Sequence, residues 1–287
     1  MKDRYPMRIY SGFLLLAAIL VYQPADLYGQ ATPAKTYNLF HPVPKQQMRD
    51  METDRPDFTE SPFTVDAGHI QYETDLFRRE KERGETAEQQ TIYINKANLN
   101  IGLTHSTAIQ IGFENFVQQK EIDLQTGETM KRNGIGDLNI RIKQNLIGND
   151  DGNIAVAVLP YIKFPTARYT ADSKYEGGII VPVHLKLPGE WTLGMQLEGD
   201  RLQDQEGGKM HTELMQSLTV SHEIFKHLDC IAETYYSYNT KEHHWTNYLN
   251  AAAQVELSAN FKVDVGFNYG LQHDAERNYF VGTAFRF

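Results

Sequence analysis

The stretch "TDRPDFTESPF" (residues 53–63) sets Asp54, Asp57 and Glu60 around Arg55, with two prolines and three hydroxyls. Carboxylates this close together are the groups that acid–base chemistry or a bound cation would use. They are equally the groups that fasten a polar segment to opposite charges. A second candidate is His211, Glu213 and Ser217, which share one face of an alternating segment. His211 and Ser217 are roughly 20 Å apart by strand rise, too far for a nucleophile and its base. His243 and His244 are adjacent, so in a strand they point to opposite faces, and His184, His211, His222 and His227 are scattered. "GNDDGN" reads as a tight polar turn. With one cysteine, Cys230, there is no intramolecular disulfide and no cysteine-based zinc site. These patterns predict no catalytic residue, no metal and no cofactor.

What must position such groups is a set of strands. From Gly68 onward apolar and polar residues alternate: Ile70, Tyr72, Thr74 and Leu76 against Gln71, Glu73 and Asp75, for example. The period of two recurs to the C-terminus, where Tyr279, Val281, Thr283, Phe285 and Phe287 share a face. It predicts about twelve strands of roughly 9–13 residues, against a globular mode near 5–6. No segment sustains a helical period.

The net charge is −9 and the mean hydropathy −0.50. No basic face stands out, which argues against a nucleic-acid partner. The run "FLLLAAILV" follows Lys2, Arg4 and Arg8 and precedes Gly29 and Ala31. It is short for a bilayer span and reads as a secretory signal peptide over residues 1–30, cleaved after Gly29 or Ala31; a short N-terminal anchor is the alternative. Residues 31–67, with prolines 33, 42 and 44, read as a periplasmic, poorly ordered lead-in.

Two architectures use such strands, a soluble sandwich and a closed membrane barrel. Strands of about 9–11 residues span a bilayer at a tilt. The connections also alternate in length. "RREKERGETAEQQ", "QQKEIDLQTGETMKRN", "PTARYTADSKY" and "DRLQDQEGGK" are long, whereas "THS", "GNDDG" and "PGE" are short. That parity is expected of an all-β, closed antiparallel transmembrane barrel in the outer membrane of a Gram-negative cell, reached through the Sec pathway. Residues 68–287 form it, its wall contacts outer-membrane lipids, and the C-terminal Phe287 is the signal read by the barrel-assembly machinery. Tyr72, Tyr93, Trp191, Tyr236, Tyr238, Trp245 and Tyr279 suit the interfacial girdles.

"TDRPDFTESPFTVDAGHIQYET", "GIGDLNIRIKQNL", "VAVLPYIKFPTA" and the closing "YFVGTAFRF" resemble the outer-membrane family labelled as a transporter or MetA pathway of phenol degradation. The resemblance covers roughly residues 52–287. It implies a β-barrel pore with a transport role.

The polar faces then line a lumen: Glu73, Asp75, Glu114, Asp137, Glu198, Glu213, Asp229, Glu233 and Asp264, opposed by Lys96, Arg141, Lys143, Lys163, Lys186 and Lys262. Such mixed charge coats a water-filled path or forms a salt-bridged block, and no single-sign selectivity is evident. The expected function is passive, channel-like passage of small molecules, hydrophobic or aromatic ones included. The alternatives are a structural or surface-interaction barrel and, third, a lipid-modifying enzyme. In a barrel of that size the prolines keep "TDRPDFTESPF" out of a central strand. Asp54, Arg55, Asp57 and Glu60 are therefore expected to form a plug or constriction.

Overall fold

The computed structural model describes residues 37–170, 173–204 and 209–287. The signal peptide expected over residues 1–30 lies outside the described residues.

Thirteen strands follow in order: β1 (Ile70–Arg83), β2 (Ala87–Gly102), β3 (Thr107–Asp123), β4 (Thr129–Gly134), β5 (Leu138–Ile147), β6 (Ile154–Phe164), β7 (Glu176–Leu187), β8 (Trp191–Gln203), β9 (Met210–Phe225), β10 (Leu228–Asn239), β11 (His244–Ser258), β12 (Phe261–Gly270) and β13 (Arg277–Arg286). Each pairs antiparallel with the next except β4 with β5, and β13 returns to β1, so the sheet closes. Both β4 and β5 lie along the same side of β3. They are two halves of one wall strand, and the barrel is twelve strands around. Closure leaves an unpaired edge among the described strands only at the short β4, which pairs with β3 alone.

The barrel is inside-out relative to a soluble domain. Phe77, Ile94, Ile142, Leu218, Phe267 and Val281 are exposed on its outer wall, as a lipid-facing surface requires. The buried set is largely polar, including Gln71, Glu73, Asn100, Gln110, Lys143 and Gln196. Buried apolar residues are mostly small or scattered, such as Ala67, Val117 and Ala284, and Ala157, Leu159 and Ile180 pack together as a small cluster.

Two expectations change. The connections after the first and third wall strands are not loops. "RREKERGETAEQQ" is mostly the paired ends of β1 and β2, and "QQKEIDLQTGETMKRN" is mostly β3 and β4. Dense charge looks like loop sequence, yet a hairpin standing in water can be charged on both faces while its backbone stays paired. Several strands accordingly run longer than expected, up to 17 residues in β3.

Tyr93 also changes face. Asn95 has a φ of +57°, and a bulge at Leu76 shifts β1 against β13. Across this row the alternation slips, so Ile94 is exposed on the outer wall while Tyr93 lines an internal cavity. Tyr93 is therefore not part of a girdle.

Residues 37–67 form no strand but are firmly held. Arg49 pairs with Asp66 at 2.8 Å, and Asp66 also pairs with Arg286 at 3.3 Å. Val43 and Ala67 share a backbone hydrogen bond of 3.0 Å. A proline-rich composition does not preclude order when the barrel supplies the partners.

Candidate functional site

Residues 53–63 lie inside the lumen. They have no ladder partner of their own, so their polar groups are satisfied by side chains of the wall. The Asp54 amide donates to Glu73 at 3.0 Å. Its carboxylate takes the Ser61 amide at 3.1 Å and Gln110 at 2.7 Å, and pairs with the buried Lys143. Glu60 pairs with Arg141, and its amide donates to Gln196 at 2.7 Å.

Arg55 bridges two strands. It donates twice to Asp264, at 3.1 and 2.6 Å, and once to Asp75 at 2.6 Å. Asp75 and Asp264 both sit opposite Gly282 in the sheet, one on each side. The guanidinium thus spans a row of three strands, a fork geometry that suits arginine and not lysine. Arg78 completes the cluster, donating to Asp75 at 2.7 Å and lying 4.6 Å from the Phe280 ring centre.

On β10, two strands from β12, Glu233 receives four donors: the amides of Phe58 and Thr59 at 2.9 and 2.8 Å, the Thr59 hydroxyl at 2.6 Å and Asn250 at 2.6 Å. Because the Thr59 hydroxyl donates to Glu233, it accepts from Ser217 at 2.6 Å. Phe58 stacks on Tyr235, and Tyr235 on Tyr248, each at 4.3 Å.

Asp57 stands apart, since no ion pair reaches it among the described residues. Burial, with Glu233 alongside, pushes its carboxyl well above the ordinary carboxylate range.

The segment divides the lumen. A central cavity of about 630 Å³ lies on one side and a cavity of about 470 Å³ on the other. Arg55, Asp57 and Glu60 line both. A third cavity, of about 1020 Å³, opens among the strand ends remote from the termini.

The family model described as "Putative MetA-pathway of phenol degradation" matches residues 53–287. The chain belongs to that family. Its match begins at the first residue of the lumenal segment, so the family pattern takes in that segment and the barrel together. No curated protein matches the chain.

Among solved structures the fold is similar to the COG4313 outer membrane channel from Pseudomonas putida F1. There the identity is 11 % and the TM-score 0.58, covering 82 % of this chain and 100 % of that one. It is also similar to the transport unit of the autotransporter AIDA-I from Escherichia coli, at 10 % identity and a TM-score of 0.51, covering 82 % and 92 %. The NanC porin aligns at 12 % and 0.48, covering 75 % and 98 %. The fold is that of an outer-membrane barrel, in keeping with the exposed apolar wall.

The residues singled out from this family member's sequence fall as follows. Asp54, Arg55, Asp57 and Glu60 are together in the lumen. Lys96, Glu114, Asp137, Lys163 and Glu198 line the central cavity, as do Glu73, Asp75 and Arg141. Lys186, Asp229 and Lys262 line the cavity nearer the termini, and Glu213 the third. Lys143, Glu233 and Asp264 face the segment itself. His211 and Ser217 do not meet. His211 bonds Asp204 at 2.8 Å and Glu213 at 3.3 Å, while Ser217 is buried against Thr59.

The neutral half of the site was not singled out: Gln110, Gln196, Asn250, Thr59 and Gly282. Each amide occupies an inward position of the alternation. That inward position is the signal that marks them in the sequence.

Proposed function

We infer that the protein is a passive, channel-like transporter of small molecules, with residues 53–63 as the element that closes or narrows the conduit. One observation carries the reading: Arg55, Asp57 and Glu60 line cavities on both sides of the segment. Moving this segment alone would join spaces of about 630 and 470 Å³ inside a polar wall. The aromatic stack of Phe58, Tyr235 and Tyr248, beside the central cavity, supports solutes with flat apolar faces. The same reading gives Phe287, exposed and 5.8 Å from the Phe285 ring, to the barrel-assembly machinery.

The dense pairing of the segment favours a second reading, a sealed structural barrel. A tether separates the two. The hydroxyls of Thr59 and Ser217 are 2.6 Å apart, so Thr59→Cys with Ser217→Cys, in a Cys230→Ala background, should close a disulfide. In planar bilayers the reduced protein is expected to conduct and the oxidised one to fall silent, with reductant restoring current. Silence in both states, and in the untethered protein, would favour the sealed barrel.

A further inference from the structure

Charge in the lumen is mixed along the sequence but not in space. The central cavity is lined by ten Asp and Glu against five Lys and Arg. The cavity at the end remote from the termini has seven against two, and the one nearer the termini seven against three. The acidic excess is clearest in the cavity remote from the termini, because burial favours the neutral forms of Asp57 and Glu60 in the other two, and low-dielectric walls focus its field.

Uncommitted hydrogen-bonding groups point the same way. Glu60 Oε2, Asn98 Oδ1 and Asn139 Oδ1 line the central cavity, are shielded, and have no hydrogen-bond partner within the protein. Asn250, 8 % exposed, adds an unpartnered Oδ1 in the small cleft it shares with Asp57 and Glu233. All four are acceptor oxygens, and a solute that satisfies them must bring donors or positive charge. Glu276 lies between the two larger cavities and lines both. Tyr248 shares the outer cavity with it, and its ring adds a π-face of the kind that attracts cations.

We propose that the conduit selects cations, and that its substrates are small organic cations carrying an ammonium group. This deepens the channel reading and rests on it for passage. The selection by the outer cavity does not require an open path.

Two measurements test it separately. Under a tenfold KCl gradient in planar bilayers, potassium is expected to be at least about threefold more permeant than chloride, as acidic linings impose. Glu276→Gln with Asp274→Asn should move the ratio towards one, since Asp274 lies in the exposed rim of the same cavity. A ratio of one or below in the unmodified protein would overturn the proposal.

The second measurement needs no current. With Cys230→Ala and Thr246→Cys, a thiol lines the outer cavity. A trimethylammonium methanethiosulfonate should label it about tenfold faster than the sulfonate analogue, relative to free cysteine, because local charge concentrates counter-ions. The paired Glu276→Gln and Asp274→Asn change should reduce that preference. Equal relative rates would refute cation selection, whereas a retained preference in an electrically silent protein would refute only the channel.

Discussion

The guanidinium of Arg55 occupies the space that any side chain at Gly282 would need: a Cβ built there overlaps it. Flexible arginines ordinarily step aside, but this one is tied to Asp75 and Asp264 on either side of the glycine. Gly282→Ala should therefore undock the arginine and cost about 1–3 kcal/mol, as overpacking does. Limited trypsin digestion after Arg49, slow in the parent and fast in the variant, reads this out, since Pro56 protects the bond after Arg55.

Removing the arginine itself has a different signature. Arg55→Met leaves Asp264 buried without a charge partner, whereas Asp75 keeps Arg78. Breaking one side of a buried pair costs about 3–5 kcal/mol. Adding Asp264→Asn should recover most of the loss in chemical denaturation. Adding Asp75→Asn should recover less, because it strands Arg78.

Asp57 makes docking of the segment depend on pH. Its docked carboxyl titrates above the ordinary range, through burial and Glu233. A carboxyl raised in this way favours the docked state fully at low pH, and that preference is lost as pH rises through the docked value. Conductance should therefore increase towards alkaline pH. Glu60, pushed up in the same manner by burial and Asp54 although Arg141 opposes it, adds to the trend. Asp57→Asn should flatten most of the response, and an unchanged profile in that variant would exclude Asp57 as its source.

Asn95 fixes the slip in the wall. Its positive φ suits asparagine or glycine, and its side-chain oxygen accepts from Tyr72 at 2.6 Å and Thr74 at 2.7 Å. Asn95→Val should lose about 1–2 kcal/mol to backbone strain and more to the loss of the Tyr72 hydroxyl's acceptor, since Thr74 keeps the Asp75 and Lys96 carbonyls. Asn95→Gly should lose only the hydrogen bonds. Urea unfolding in detergent distinguishes them.

The barrel was legible because a wall between lipid and water imposes a period of two, and Ile70 to Leu76 or Tyr279 to Phe287 carry that period openly. Tyr93 was misplaced because a bulge is a property of cross-strand register at Leu76 and Asn95, and neither residue marks it in the chain. The charged hairpins at Arg79–Arg83 and Gln118–Asp123 were taken for loops because above the bilayer neither face needs to be apolar. In the plug the charges were visible but their partners were not. Asp54 finds Lys143 and Glu60 finds Arg141 through the curvature of the wall, which sequence spacing does not encode. That Asp57 lacks a base follows from the same geometry.

The contacts of the lumenal segment also set an order of construction. Arg55 reaches 209 positions along the chain to Asp264, and Thr59 reaches 174 to Glu233. The segment emerges early in synthesis, yet part of its seat, Glu233 and Asp264, lies on β10 and β12. Contacts of such separation cannot form until the intervening chain has been placed. A chain arrested before β10 would offer Asp54 and Glu60 their partners on β5 but leave Arg55 without Asp264 and Thr59 without Glu233, so two early residues are among the last to come to rest.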